Sequence, residues 1–324
     1  MSVRVWIGEG SADLCEPALR ALGDGFGTRL AVPEDRAERA LASLGCAALP
    51  GAALGPLAVA RFGRGLDPRE TGFALRLGSV LADGVLADPG EVSADEAEEA
   101  GRLAACLRSG RLDPMFGLSA DHALVWREGS TDLVATDWPL ALGNPWQASL
   151  PQGDGEAVLR RFVDDSVNVL ASSEANRLRG DQGRPPLNVL WPWAPGFGFE
   201  LPRLVLRYGA PLKVETSDWA VEGAARLAGV SLRGEAPLAV RVGPLPWETT
   251  DDPDEQAYLA RRERSTGWLS QGTAACTLGP FGWHHGPPEA VPWEAALDPD
   301  QMADPEPLVR WVARLLRQGG RPVG

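Results

Sequence analysis

The sequence is poor in the residues that build many common catalytic sites. Its 324 residues include three histidines and four cysteines, and Lys213 is the single lysine. A P-loop needs a Gly-Lys-Ser/Thr triplet, and Lys213 lies between leucine and valine, so nucleotide hydrolysis by that route is excluded. No HExxH motif is present, and no GxSxG segment precedes a predicted helix. The sequence therefore lacks the signatures of the commonest hydrolases.

The four cysteines show no spacing typical of a disulfide framework or a structural zinc site. They lie far apart, with no CxxC pair, at Cys15, Cys46, Cys106 and Cys276. Scattered cysteines of this kind are typical of a reducing compartment. The first ten residues, MSVRVWIGEG, have no long apolar run after a basic start, so no secretory signal is predicted. We therefore expect a cytoplasmic protein.

Long hydrophobic runs and an excess of positive charge are both absent. The apolar runs are interrupted well before the roughly 18 residues that a membrane-spanning helix needs. Acidic residues number 44 against 31 Lys and Arg, which gives a formal net charge of -13. Such a protein has no excess of cationic surface with which to neutralise phosphates. We therefore predict a soluble protein with neither a membrane nor a nucleic-acid partner.

The hydrophobic pattern predicts an α/β core built from both ends of the chain. A short apolar strand at residues 3–7 is followed by a loop and a helix, and beyond Pro186 strands alternate with helices. Alternation of this kind predicts a mostly parallel sheet with helices on both faces. The first loop begins Gly8-Glu9-Gly10, but Asp13 occupies the third glycine position of a dinucleotide-binding fingerprint. Dinucleotide binding is therefore not predicted.

A smaller α+β unit is predicted between the two parts of the core. Two β-type runs surround a turn at residues 82–84, which is a hairpin signal. Ser93 and Glu96 have the S-x-x-E spacing of a capping box, which predicts a helix from about Ala94 to Ser109. The predicted domains are a core formed by residues 1–62 and 172–324, and an inserted cap domain formed by residues 63–171.

Two segments carry a resemblance to a known family. Residues 62–96 read FGRGLDPRETGFALRLGSVLADGVLADPGEVSADE, and residues 176–188 read NRLRGDQGRPPLN. The first resembles the inserted domain of archaeal-type, cofactor-independent phosphoglycerate mutases, with its G-R-G, F-R-C-N and S-x-E-E-A motifs. The second is similar to the family's N-x-x-R-x-x-x-G-x-x-P-x-N. The chain therefore resembles a shortened, degenerate member of this family within the alkaline-phosphatase superfamily.

The resemblance implies a fold, a chemistry and a set of substrate-binding residues. The implied fold is an alkaline-phosphatase-like α/β core with an inserted cap. In the family a serine hydroxyl takes a phosphoryl group and returns it to the other hydroxyl of the glycerate, assisted by two divalent metals. By their match to family motifs, the residues implied to bind substrate are Arg64, Arg76, Asn176 and Arg179.

The positions that should carry the chemistry depart from the family pattern. Ala52 stands in Pro50-Gly51-Ala52-Ala53, where the family has the serine nucleophile. Glu9 replaces the metal-binding aspartate of G-D-G, and His285 matches the last family histidine. Glu9 and His285 are thus remnant metal positions, and no metal cofactor is expected. We predict a protein that has lost phosphoryl transfer and binds a small phosphorylated or carboxylated acid, or a protein partner, in the former active-site cleft.

Alternatives remain open at this stage. An active 2,3-bisphosphoglycerate-independent mutase, or a related phosphatase, could use Mn, Mg or Zn held by Glu9 and His285, with Ser11 replacing the nucleophile. New chemistry in the same cleft is a third alternative. Structural roles also compete with binding roles, because Arg76 could be an exposed residue of a strand ladder and Asn176 could hold a turn. The sequence alone therefore does not decide whether the chain is an enzyme.

Overall fold

The structure is a computed structural model that describes residues 3–7, 54–129, 132–201, 203–204, 211–234, 236, 238–242, 274–279 and 282–286. Glu9, Ser11 and Ala52, predicted to be a metal remnant, a substitute nucleophile and the nucleophile position, lie outside the described residues. For β-strand residues 274–279 and 282–286 the backbone is described. The chain divides into two compact units, one of Met1–Gly51 with Glu200–Gly324 and one of Ala52–Phe199.

The described helices and strands follow one another in this order: β1 (Val3–Ile7), α1 (Leu54–Ala60), β2 (Thr71–Val80), β3 (Leu86–Ala87), α2 (Ala94–Ala104), β4 (Leu112–Met115), β5 (Asp121–Trp126), β6 (Leu133–Val134), α3 (Trp138–Ala141), β7 (Gln152–Gly153), α4 (Glu156–Leu170), α5 (Glu174–Asp181), β8 (Val189–Phe197), β9 (Leu212–Thr216), α6 (Trp219–Leu227), β10 (Leu238–Val242), β11 (Ala274–Gly279) and β12 (Gly282–Gly286). Short 3₁₀ turns occupy Ala105–Leu107 and Trp146–Ser149. None of these helices has the length and apolarity needed to cross a membrane.

The first unit contains a five-stranded sheet in the order β12-β11-β1-β10-β9. β1 pairs in parallel with β10 and β11, and β10 pairs in parallel with β9, while β12 runs antiparallel at the edge. Strands and helices therefore combine as the sequence predicts for an α/β protein, and this class is confirmed. Helices on both faces of the sheet stay a prediction, because most connections between these strands lie outside the described residues.

The second unit is built on an antiparallel sheet with β2 at its centre. The sheet has the order β3-β2-β5-β4, and β8 pairs with β2 along the other edge. α1 packs so closely against β2 that a Cβ on Gly55 would lie 2.1 Å from the main-chain oxygen of Gly72. This contact therefore requires glycine. Leu159, Phe162 and Val163 form the buried face of α4. The predicted cap domain, residues 63–171, lies within this unit, and its exact boundaries stay a prediction.

The capping box predicted at the start of α2 is present. The Ser93 hydroxyl accepts a hydrogen bond from Glu96 N at 3.3 Å, and the Glu96 carboxylate accepts one from Ser93 N at 2.8 Å. The helix begins at Ala94 as predicted but ends at Ala104, five residues before Ser109. It ends early because the chain tightens into a 3₁₀ turn and then becomes extended towards β4.

Candidate functional site

Arg76 lies in the middle of β2 and carries the most distinctive polar arrangement among the predicted site residues. Its Nη1 donates to Asp121 Oδ1 at 2.8 Å, and Asp121 is the residue directly opposite on β5. Its Nη2 lies 3.7 Å from Asp88 Oδ2, and the guanidinium carbon lies 6.0 Å from the centroid of the Trp138 ring. We call Arg76, Asp88, Asp121 and Trp138 the Arg76 site.

One edge of the Arg76 guanidinium has no strong partner. Its Nε is buried and has no hydrogen-bond acceptor among the described residues. Within the described ranges, the ion-pair partner of the neighbouring Nη2 is Asp88, whose side chain is 47% exposed. Nε and Nη2 together form a planar fork that matches two oxygens of a carboxylate or phosphate. An oxyanion bound to this edge would replace Asp88 at Nη2 and would also have to reach the buried Nε.

His122 is buried in β5 next to the Arg76 site. Its Nδ1 accepts a hydrogen bond from Gly117 N at 3.1 Å, and its ring contacts Phe116 edge-on at 5.3 Å between centroids. Burial, followed by the charges of Arg61 and Arg76, lowers the pKa of His122 to about 3. The imidazole is therefore neutral at pH 7, and the positive charge in this region comes from the two arginines.

Arg64 does not lie at the Arg76 site. Its Nη2 lies 2.6 Å from Glu70 Oε1 and its Nη1 lies 2.8 Å from Asp113 Oδ2. Asp113 pairs with the end of β5 that lies four residues beyond Asp121, and four extended residues span about 13 Å. The resemblance groups the two arginines at one substrate site, whereas the structure places their ion pairs at opposite ends of β5.

Asn176 is hydrogen-bonded to backbone groups at the start of α5. Its Nδ2 donates to the main-chain oxygens of Leu170 and Leu187, both at 3.0 Å, and its Oδ1 accepts from Leu187 N at 2.5 Å. Asn188 makes an equivalent pair of bonds with the backbone of Val80. These contacts match the structural alternative considered for Asn176. Its role in substrate binding stays a prediction.

Arg179 is fully buried and satisfied inside the protein. Its Nε donates to the main-chain oxygen of Pro185 at 2.6 Å, and its Nη1 donates to Glu96 Oε1 at 3.0 Å and to the main-chain oxygen of Glu91 at 3.2 Å. Its Nη2 donates to the Pro89 oxygen. These bonds hold the segment 89–91 against α5, next to Asp88. Substrate binding by Arg179 would require some of them to break, and it too stays a prediction.

The described residues of the parallel sheet do not fit a pair of divalent metals. Strand register aligns the carboxyl ends of β1, β9 and β10, the edge where open α/β sheets place ligands. Near that edge, Asp218 caps α6 by accepting from Ala220 N at 2.7 Å. No group of three or more His, Cys, Asp or Glu side chains occurs within the described ranges.

Glu215, on β9, is also committed to other partners. It lies 2.8 Å from Lys213 Nζ and 2.6 Å from Arg241 Nη2. Although burial raises the pKa of this carboxyl, hydrogen bonds and charge from Lys213 and Arg241 lower it to about 2.

His285 is described by its backbone, which lies on β12 opposite Cys276 of β11. The metal roles of His285 and Glu9 stay predictions.

Four residues of the Arg76 region, Asp88, Asp121, His122 and Trp138, were not predicted from the sequence. Asp121, His122 and Trp138 lie 45 or more positions after Arg76 in the chain. The signal that could have found Asp121 is the register of the predicted β pairs, because opposite residues in antiparallel strands share a face. No sequence signal identifies the position of Trp138.

Comparison with known proteins gives distant and partial matches. No family model matches the chain. A 2,3-bisphosphoglycerate-independent phosphoglycerate mutase from Methanothrix thermoacetophila is 29% identical over 157 residues. The match covers 48% of this chain and 39% of that protein, so it spans well under half of the curated relative.

Two solved structures are also similar. The PH0037 protein from Pyrococcus horikoshii superimposes with a TM-score of 0.52 at 13% identity, covering 91% of this chain and 84% of that one. A cofactor-independent phosphoglycerate mutase from Thermoplasma acidophilum gives a TM-score of 0.49 at 16% identity, covering 98% and 100%. The likeness to PH0037 supports a shared fold. The resemblance found in the sequence is confirmed, and the chain is similar, distantly and over part of its length, to the cofactor-independent phosphoglycerate mutases.

Proposed function

We propose that this chain is a phosphoglycerate mutase-like protein that binds a small phosphorylated or carboxylated acid and has lost metal-dependent phosphoryl transfer. The loss is supported by the sequence, because Ala52 has no hydroxyl to take a phosphoryl group and Glu9 is a methylene longer than the family's aspartate. The proposal includes an alkaline-phosphatase-like core with helices on both faces and a cytoplasmic location. A protein partner is a further possible occupant of the same region.

The Nε–Nη2 edge of Arg76 is the observation that carries the binding proposal, because Nε has no acceptor among the described residues and Nη2 lies 3.7 Å from Asp88. Nη1 stays on Asp121, which fixes the plane of the guanidinium, while Nε and Nη2 donate to two oxygens of the ligand. Paired hydrogen bonds between charged groups are about twice as strong as neutral ones. Asp88 is half-exposed, so its carboxylate can be hydrated when the ligand replaces it.

The surroundings of the fork favour an anion. The Trp138 ring lies against the guanidinium, which restricts its motion and costs no hydrogen-bond donor. Arg61, whose Nη1 donates to the main-chain oxygen of Asp121 at 3.2 Å, adds a second positive charge. Asn176 and Arg179 are retained as predicted binding residues, each of which would have to exchange an internal hydrogen bond for one to the ligand. Arg64 also stays a predicted binding residue, but its ion pairs lie about 13 Å from Asp121 along β5, so it is not assigned to the Arg76 site.

Calorimetric titration with 3-phosphoglycerate tests this proposal. We expect saturable binding to the wild type and at least about 10-fold weaker binding to Arg76→Gln, since hydrogen bonds to charged groups contribute roughly 1.5–3 kcal/mol. Arg161→Gln is the matched control, because Arg161 is exposed on α4 and its ion-pair partner in the described part of the chain is the neighbouring Asp165, at 3.5 Å. Equal affinity of wild type and Arg76→Gln would refute the role of Arg76. Glycerate and inorganic phosphate, titrated separately, show which group the fork holds.

An active mutase is the second candidate function. It is favoured by the name of the curated relative, a 2,3-bisphosphoglycerate-independent phosphoglycerate mutase. This alternative requires Mn, Mg or Zn and a nucleophile other than residue 52. The described residues do not supply such a site, and Glu9 and Ser11, which would have to take part in it, lie outside them.

A further inference from the structure

A second group of arginines surrounds Asp113 on β4. Arg64 Nη1 lies 2.8 Å from Asp113 Oδ2, Arg108 Nε lies 2.8 Å from Oδ1, and Arg127 Nη2 lies 3.7 Å from Oδ2. The Asp113 side chain is only 17% exposed. One largely buried carboxylate thus holds three guanidinium groups within 4 Å. We call Arg64, Arg108, Arg127 and Asp113 the Asp113 cluster.

Within the part of the chain that the structure describes, Arg108 and Arg127 have fewer hydrogen-bond partners than N–H donors, although Asp113 Oδ1 is itself buried without a hydrogen bond. Arg64 is also bonded to Glu70, and Arg108 Nη2 donates to the Pro114 oxygen at 3.3 Å. Among the residues that the structure describes, the ion-pair partner of the Arg127 side chain is Asp113 at 3.7 Å, which is too long for a hydrogen bond. The side chains of Arg108 and Arg127 are 64% and 50% exposed. Their remaining N–H donors can therefore reach a ligand in solvent.

Two arginines lie opposite each other at this end of the sheet. The backbone N of Arg127 donates to the oxygen of Arg111 at 2.9 Å, directly beyond the last pair of β4 and β5. Like charges on opposite residues of paired strands are destabilising, and Arg111 is only partly offset by exposed Glu128 at 3.3 Å. Around Asp113 four arginines, the three of the cluster and Arg111, lie with the three carboxylates of Glu70, Asp113 and Glu128, so the local balance is positive although the protein as a whole carries a net charge of -13. A bound anion would relieve this repulsion.

We propose that the Asp113 cluster is a second binding site, separate from the Arg76 site, for the phosphoryl group of a small molecule. Asp113 orients Arg108 and Arg127, and their exposed donors take two or three phosphate oxygens in charge-assisted pairs. A phosphoryl group fits better than a carboxylate because its greater charge and additional oxygens match several guanidinium groups. The site does not depend on the Arg76 site, which is about 13 Å away along β5.

Titration of the full-length protein with inorganic phosphate, at constant ionic strength set with chloride, tests the proposal. The readout is the arginine Nε–Hε signals in a ¹⁵N-correlated NMR spectrum, assigned with the variants Arg108→Gln and Arg127→Gln. We expect saturable shifts of the Arg108 and Arg127 signals, and at least fivefold weaker binding in Arg127→Gln. Arg127→Lys keeps the charge but not the guanidinium fork, so its affinity for phosphate should lie between those of the wild type and Arg127→Gln.

Two controls distinguish the Asp113 cluster from the Arg76 site. Arg161→Gln should bind like the wild type, and Arg76→Gln should leave the Arg127 signal and its titration unchanged. Shifts that stay linear with phosphate, or equal affinity in Arg127→Gln and wild type, would overturn the proposal. Loss of the Arg127 response in Arg76→Gln would also overturn it, because the two sites would then be one. Glyceryl phosphate added in place of inorganic phosphate shows whether a phosphate ester is accepted.

Discussion

Replacing Arg179 with methionine is expected to lower the free energy of unfolding by about 3–5 kcal/mol. The side chain is fully buried, and its guanidinium donates to Glu96 and to the backbone oxygens of Pro89, Glu91 and Pro185. Methionine fills similar space but donates nothing, so several acceptors lose their partner at once. A buried acceptor without a partner costs roughly 1–3 kcal/mol. The loss should be large even though the hydrophobic volume is kept.

Arg177→Met is the matched control for Arg179→Met. Arg177 lies on the same helix, but its side chain is 60% exposed and pairs with Glu174 and Asp181 at the surface. Exposed ion pairs contribute little, so this variant should change stability by no more than about 0.5 kcal/mol. Urea denaturation followed by tryptophan fluorescence gives both values. A loss below about 1 kcal/mol for Arg179→Met would show that its bonds are dispensable.

Acidification is expected to destabilise the protein through His122 before most carboxylates titrate. The folded-state pKa of His122 is lowered to about 3, whereas an unfolded histidine has a pKa near 6.5. Below pH 6.5 the unfolded chain binds a proton that the folded chain does not, so stability falls as pH falls, down to about pH 3. At about 1.4 kcal/mol per unit, the loss between pH 6.5 and 4.5 is roughly 2.5 kcal/mol.

His122→Asn should remove this pH dependence. Asparagine keeps an acceptor near the position of Nδ1 for the Gly117 N–H but does not titrate. The unfolding free energy of this variant should therefore stay nearly constant from pH 6.5 to 4.5. Phe116→Leu is the control, because it disturbs the ring that contacts His122 and leaves the titrating group in place. Denaturation midpoints at four pH values provide the measurement. An equal slope in wild type and His122→Asn would assign the acid sensitivity to other groups.

Local features of the second unit could be predicted from the sequence. The capping box at Ser93 and the start of α2 depend on residues three apart, and the β-type runs around residues 82–84 depend on alternation within a few residues. The α/β class followed from the same kind of pattern. The end of α2 could not be predicted, because Ala105–Leu107 form a 3₁₀ turn where the chain leads into β4, and local propensity does not encode that path.

The candidate site depends on contacts that are distant in sequence. Arg76 reaches Asp121 across 45 positions and Arg179 reaches Glu96 across 83. Matching to family motifs identified Arg76 and Arg179 as candidates but could not show that Arg76 Nε has no acceptor among the described residues, whereas Arg179 is enclosed by acceptors. It also grouped Arg64 with Arg76, because motif order carries no information about distance along a strand. Those differences appear only once strand register and burial are known.

Mutase turnover, measured on the sample used for calorimetry, tests the central claim most directly. The purified chain is supplied in turn with excess Mn, Mg or Zn, and conversion of 3-phosphoglycerate to 2-phosphoglycerate is followed while bound metal is quantified. We predict saturable binding of 3-phosphoglycerate, no conversion with any metal and no stoichiometric metal. Conversion that depends on a stoichiometrically bound metal would contradict the account and establish the chain as an active mutase.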